Sequence, residues 1–402
     1  MSRLYLDHAA TTPLCREAYD AMQPWLLESY GNPSSIHEDG RKARMAIDEA
    51  REVVASALGC DFSEVVFTSG GTEAANLAIL GAALNYRGYE RPRVLMSAVE
   101  HHCVLHCRKP LEELGYVVET IPVDRVARVD LGWLESAMGD DVLLVAVMHA
   151  NNELGTIQPA DEVARLAEEH GALYFCDAVQ TFGAEGRGEG VSPMRPEADA
   201  SLYLRPFVRP PLLSVSSHKI HGPKGVGALV VRAGVRLRSL IHGGGQEREL
   251  RPGTENVAGI VGFGAAAKAW VAGAADGDAR KRAARDLFLD RLADLVPQRL
   301  RLTVPDREAV LPGHAHVRFE GVGAESMLMV LDMMGLSASS GSACSAGSLD
   351  ASHVLLACGY SEAEAKEGLR FTFGSDSTSE EAEAAAQTVA RAVRQVTRAS
   401  TL

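Results

Sequence analysis

Positive charge is in short supply in this sequence. Forty lysines and arginines face 53 aspartates and glutamates, a net charge of −13. A surface of that sign repels phosphate backbones, so direct nucleic-acid binding by the body of the protein is not expected. No run of apolar residues approaches the length needed to span a bilayer, so a membrane span is not expected either. The opening residues, Met1 to Asp7, lack the basic-then-apolar layout of a secretory leader, and the expected compartment is the cytoplasm. Cysteine is sparse: seven, an odd number, scattered along 402 residues. That excludes a disulfide framework and leaves free thiols, one of which is available for chemistry. Repeats, low-complexity tracts and long linkers are also missing. What remains is a chain with 46% hydrophobic residues, too long for one small core and suited to two domains or a large and a small lobe.

Short apolar runs (Val94–Met96, Val142–Met148, Leu173–Phe175) alternate with amphipathic stretches such as Arg41–Leu58 and Asp161–His170. Pro159 before the latter and Gly171 after it are start and stop signals for a helix. Strands alternating with helices predict an α/β fold, a mainly parallel sheet covered on both faces. In such sheets ligands sit at the carboxyl ends of the strands. From about Asn256 the texture changes to an Ala-rich stretch, Gly262–Val271, and then a charged one, Asp278–Leu295. This marks the passage into a smaller C-terminal domain. Ser379–Arg398 reads as a closing helix whose Arg391, Arg394 and Arg398 suit its macrodipole.

Five features at strand ends carry chemical possibilities. Lys219, in Ser216-Ser217-His218-Lys219, follows an apolar pair and precedes the Gly-rich Gly225–Val231. In a partly dry, polar-lined site its amine can form a Schiff base; in water it is an ordinary strand-end lysine. Thr68-Ser69-Gly70-Gly71-Thr72-Glu73 leads straight into a helical stretch. It is either an anion cradle or a plain helix cap. Asp177 closes a buried strand and needs a cation there, a protonated pyridine nitrogen or an arginine, and Gln180 lies one turn on. His101 follows another strand and suits ring stacking and proton transfer. The wider string His101-His102-Cys103-Val104-Leu105-His106-Cys107 invites a metal, but its i, i+4 pairs diverge and no second ligand group is spaced to meet them, so no metal is expected. Cys344 lies in a small, polar segment, Ser339–Ser348, where a thiol is exposed and either reactive or idle. Cys60 and Cys176 adjoin apolar runs and read as packing.

Taken in order, these pieces resemble the cysteine desulfurases, a branch of the class V aminotransferase family with the type I fold of pyridoxal-phosphate (PLP) enzymes. The resemblance spans nearly the whole chain: Tyr5–Pro13, Gly31–Ser35, the Thr68–Glu73 cradle, Glu100-His101, Met148–Glu153, Asp177–Gln180, the Lys219 segment, Gly243–Arg248, Arg251–Asn256, the Cys344 segment and Leu369–Phe371. It implies a large PLP-binding domain over 13–260 with a mainly parallel seven-stranded sheet. A small α/β domain would comprise 1–12 and 261–402 and carry Cys344.

The roles it implies are specific. Lys219 would carry PLP, His101 would stack on its ring, Asp177 would pair with the ring nitrogen and Gln180 with the ring oxygen. Gly71, Thr72, Ser216 and His218 would hold the phosphate, joined by Thr254 from a second subunit, which implies a homodimer. Arg370, with Asn152 and Asn32, would bind the substrate carboxylate; the guanidinium fork matches it. Lys219 would take the Cα proton of L-cysteine, Cys344 would attack its sulfur to form a persulfide with release of alanine, and His101 would shuttle protons. A protein sulfur acceptor of unknown identity would follow. The segment after Cys344, Ser345–Leu349, resembles the long-loop branch, that of nitrogen-fixation and iron–sulfur-cluster desulfurases. A selenocysteine lyase or another class V enzyme is the alternative, and a catalytically silent scaffold is the alternative of another class.

Two departures stand out. Asp177 and Lys219 are farther apart than the family has them, with the excess around Glu197–Pro211; Leu202–Pro211 holds three prolines and two arginines and reads as a flap or partner dock, or as a tolerated surface insertion. The chain also closes at Arg398–Leu402, without the C-terminal extension of members that serve an iron–sulfur scaffold. Thio-modification of tRNA or DNA, or a thio-metabolite, stays open as the destination.

Overall fold

The computed structural model describes residues 3–86, 91–182, 210–341 and 351–399. The chain opens with a short strand, β1 (Leu4–Tyr5), and two helices, α1 (Arg16–Leu27) and α2 (Glu38–Leu58). It then runs through β2 (Val65–Thr68), α3 (Gly71–Tyr86), β3 (Arg93–Ser97), α4 (His102–Leu105), α5 (Arg108–Glu113) and β4 (Val117–Ile121). After these come α6 (Leu131–Ala137), β5 (Val142–Ala146), α7 (Ala160–Glu169) and β6 (Leu173–Asp177), then β7 (Leu212–Ser216) and β8 (Gly227–Val231). The remainder comprises α8 (Val257–Leu295), β9 (Leu300–Leu302), β10 (His314–Phe319), α9 (Ala324–Met333), β11 (Leu336–Ser337), α10 (His353–Ala357), α11 (Glu362–Ala365), β12 (Gly368–Thr372) and α12 (Ser379–Ala399).

Strands β2 to β8 form the expected seven-stranded sheet, in the order β2-β8-β7-β6-β5-β3-β4. Only β8 runs antiparallel to its neighbours. Every residue of β5, Val-Leu-Leu-Val-Ala, is buried, as a central parallel strand covered on both faces requires. Val66, Leu144, Phe175 and Leu229 pack on one face with Leu77 and Ile79 of α3. Val65, Phe67, Val215 and Val230 face the other way, against α2 and α8. A second, antiparallel sheet, β12-β10-β9, packs with α8, α9 and α12 around Phe288, Phe319 and Phe371.

Helix α8 corrects the expectation that no apolar run is long enough to cross a membrane. It is 39 residues long, and an 18-residue stretch of it has a mean hydropathy of 1.5. Protein buries 44% of that stretch. The helix lies along α1, α2 and α12, placing Ile260 and Phe263 in one core and Phe288, Leu289 and Leu292 in the other. Glycine admits the close approach: a Cβ on Gly264 would meet Ala50 Cα at 2.9 Å. The 260/261 division inferred from the sequence falls inside this unbroken helix.

The N-terminal segment ties the two sheets together. Leu4–Tyr5 pairs in parallel with Leu336–Ser337, and Asp7 bridges to Thr372 at the end of β12. Residues 9 and 10 are thereby laid across the carboxyl end of the large sheet.

Candidate active site

The carboxyl ends of β3, β5, β6 and β7 and the start of α3 enclose a cavity of about 330 Å³. Its walls carry Lys219, Asp177, His101, Gln180, Asn152 and Arg370. An adjoining hollow of about 380 Å³ is lined by Ser69, Gly70, Gly71, Thr72, Ser216 and His218, with Lys224 at its edge. Gly71, Thr72, Ser216 and His218 border both.

Each side chain is placed by its element. Lys219 ends a single turn after β7, and its Nζ donates to the carbonyls of Ala9 (2.5 Å) and Ala10 (2.8 Å). Asp177 ends β6, where its carboxylate accepts from the Val179 N–H (3.0 Å) and Ser214 Oγ (3.2 Å). Burial raises its affinity for a proton despite these bonds and the charge of Lys219; its hydrogen bonds among the described residues are to Val179 and Ser214, not to an arginine. Gln180 Nε2 donates to Ala9 O at 3.1 Å. His101 caps α4, its Nδ1 accepting the Cys103 N–H at 3.2 Å. Burial first, then the charges of His102, Lys219, His353 and His106, lowers it to about 4, so it is neutral at ordinary pH. His218, paired through Nδ1 with Thr11 Oγ1 at 3.1 Å, is likewise lowered to about 4 by burial and by Lys219 and Lys224.

Arg370, on β12, is buried at 3% exposure. Nη1 donates to Asn152 O (2.6 Å) and Nη2 to Asp7 Oδ1 (2.7 Å), while Nε has no protein acceptor among the described residues. Burying a guanidinium is costly unless it is paired, and Asp7 supplies the charge. Asn32 and Thr254 are exposed and line neither hollow. Cys344 lies outside the described residues, as does most of the Leu202–Pro211 segment; Gly341, just before the Cys344 segment, is on the cavity wall. Cys176 and Cys60 pack against the sheet cores, as read.

Other residues at the site were not singled out from the sequence. Asp7 and the Ala9 and Ala10 carbonyls belong to the Tyr5–Pro13 motif, which carried that signal without assigning a role. Cys103 also lines the cavity, and Glu153 lies buried behind it. In the His/Cys string, the His102 ring stands between those of His106 (5.1 Å) and His353 (4.6 Å), while Cys103 turns toward His101.

Comparison with known proteins places this arrangement. The family model for aminotransferase class V matches residues 4–186 and 211–384. The chain belongs to the class V aminotransferase family, on its cysteine desulfurase branch. A cysteine desulfurase IscS of Dictyoglomus turgidum is 43% identical over 94% of this chain and 91% of that protein. Among solved structures, a NifS-like protein superposes with a TM-score of 0.86 at 32% identity, covering 98% of this chain and all of the other. Another, SspA in complex with cysteine, has a TM-score of 0.76 at 33% identity over 92% and 98% of the two chains. The class V match leaves out residues 187–210, the same region in which the sequence carries its excess.

Class V enzymes of this branch use PLP, and the donor set fits it. A dianionic phosphate suits the backbone N–H groups at the start of α3, with Thr72, Ser216 and His218 around it. A Cβ at Gly71 would meet Val179 Cγ2 at 2.6 Å, so Val179 would have to shift to admit one. Asp177 is a buried carboxylate facing the cavity in want of a cationic N–H, which a pyridine ring supplies. Lys219 is the amine within the same cavity.

Proposed function

We propose that this chain is a PLP-dependent cysteine desulfurase that takes sulfur from L-cysteine onto Cys344 and releases L-alanine. The observation that carries the reading is one cavity holding an amine, a buried carboxylate and a buried arginine, Lys219, Asp177 and Arg370. Bound there, PLP supplies an electron sink for the substrate's Cα. Asp177 would keep the ring nitrogen protonated, Gln180 would serve the ring oxygen, and Gly71, Thr72, Ser216 and His218 would hold the phosphate. Arg370, with Asn152, would receive the substrate carboxylate. Lys219 removes the Cα proton and His101 returns protons. The Cys344 thiolate attacks the substrate sulfur; the new S–S bond forms as the C–S bond breaks, leaving a persulfide. The working unit is a homodimer in the cytoplasm, with Thr254 completing the partner's phosphate site. A protein sulfur acceptor takes the persulfide sulfur.

Alanine release from L-cysteine, for wild type and Cys344→Ala, with mass spectrometry of the protein, tests this. Alanine and a one-sulfur adduct on Cys344 in wild type, both lost in the variant, are expected. No alanine from PLP-loaded wild type, with or without a thiol acceptor, refutes it.

A further inference from the structure

Cys103 takes no part in the reaction above, yet it lines the same cavity. Its Sγ lies 3.0 Å from His101 Nδ1, and its backbone N–H donates to that nitrogen at 3.2 Å. A ring nitrogen that accepts an N–H carries no proton of its own, so the thiol facing it is the donor. Burial holds this thiol far above its ordinary range, with Asp177, Glu100 and Cys107 adding to the effect. It therefore stays an S–H and is a poor nucleophile, which argues against a second sulfur-carrying site.

We propose that Cys103 is a positioning residue that acts through His101: its backbone N–H and its thiol both donate to Nδ1, holding the ring in the Nε2–H tautomer and disfavouring its protonation. The proposal rests on the reading of His101 as the proton-returning group. With Nδ1 occupied by two donors, His101 exchanges protons only at Nε2. Among the described residues, the titratable groups acting on it are His102 of α4, His106 at the end of that helix, His353 at the start of α10 and Lys219 after β7. All four disfavour the charged ring, so the tautomer of the neutral form decides what the residue can do.

NMR of the histidine ring nitrogens at neutral pH, in apoprotein and in PLP-loaded protein, tests this, with the His101 signals assigned by a His101→Gln control. Cys103→Ser keeps a donor, whereas Cys103→Val keeps the bulk without one. Wild type, Cys103→Ser and Cys103→Val are all expected to show a bare Nδ1 and a protonated Nε2, since the backbone N–H stays in each. Cys103→Val alone is expected to raise the pH at which the His101 ring takes up its second proton, read by NMR and as an acid limb of the turnover profile moved up by about half to one pH unit, because a lost donor no longer favours the neutral ring. An unchanged His101 titration in Cys103→Val, or a protonated Nδ1 in wild type, overturns the assignment. The tautomer is read without turnover, so failure of the desulfurase reading, seen as no alanine from cysteine, is a separate result.

Discussion

Glu153 is wholly buried, and Ser352 Oγ donates to its Oε2 at 2.5 Å. Burial pushes the carboxyl up to about 7, against the opposing pull of that hydrogen bond and of Arg370. Below about pH 4.5 the group is protonated whether the chain is folded or not. Between there and pH 7 the unfolded chain releases its proton while the folded chain keeps it, so stability falls as pH rises through that window, by about 3 kcal/mol, and levels off above it. Glu153→Gln should remove this contribution. Denaturant unfolding at pH 5 and pH 8 is then expected to show the variant gaining about 3 kcal/mol on wild type at the higher pH; a constant difference would place the titration elsewhere. The same contrast separates what was legible from what was not. Lys219, Asp177 and Gln180 stand out in the sequence because each lies at or just beyond a strand end, where an α/β sheet presents its chemistry. Glu153 and Cys103 belong to strings whose meaning depends on which neighbour the side chain turns toward, and that is set by contacts with residues such as Ser352, distant in sequence.

At the level of elements, β8 supports the cradle from below. A Cβ on Gly227 would meet Val215 O at 2.6 Å and Gly70 Cα at 2.8 Å. Both are main-chain atoms, one in the neighbouring strand and one in the cradle, so neither can rotate away. Gly227→Ala should displace the cradle at a cost of 1–3 kcal/mol, roughly tenfold or more in PLP affinity. Titrating apoprotein with PLP and following the absorbance of the bound cofactor checks this; an unaltered affinity would mean the cradle tolerates the shift. The sequence marked the start of α8 well: its texture changes near Asn256, and Asn256 proves to be the N-cap, accepting the Gly259 N–H at 3.0 Å. It did not reveal that the Ala-rich and charged stretches are one helix. The pattern alters where the helix leaves the core it shares with α1 and α2 for the one it shares with α12, so a single element carries two different patterns of burial. The pairing of Leu4–Tyr5 with Leu336–Ser337 was equally hidden, because two-residue strands leave no periodicity to read.

For the whole molecule, the open matter is what completes the phosphate site. The loop carrying Thr254 is pinned to α2 by Arg44–Glu255 (2.5 Å) and to α3 by Arg251–Glu73 (2.9 Å), yet Thr254 itself faces solvent. Nearby in sequence to the exposed Asn32, Leu26, Leu27, Tyr30 and Ile36 are between 62% and 91% exposed, apolar surface of the kind that a second copy covers. If Thr254 serves the partner's cofactor, then Thr254→Ala weakens PLP binding in a homodimer, and Lys219→Ala prevents covalent attachment of PLP. Mixing the two variants under conditions that exchange subunits should restore one intact site per mixed dimer, made of Lys219 from one protomer and Thr254 from the other. PLP affinity measured on the mixture is expected to recover for about half of the sites in mixed dimers, and sedimentation should report a dimer throughout. If Thr254 served its own protomer, every site with an intact Lys219 would still lack its Thr254 partner, and mixing would restore nothing.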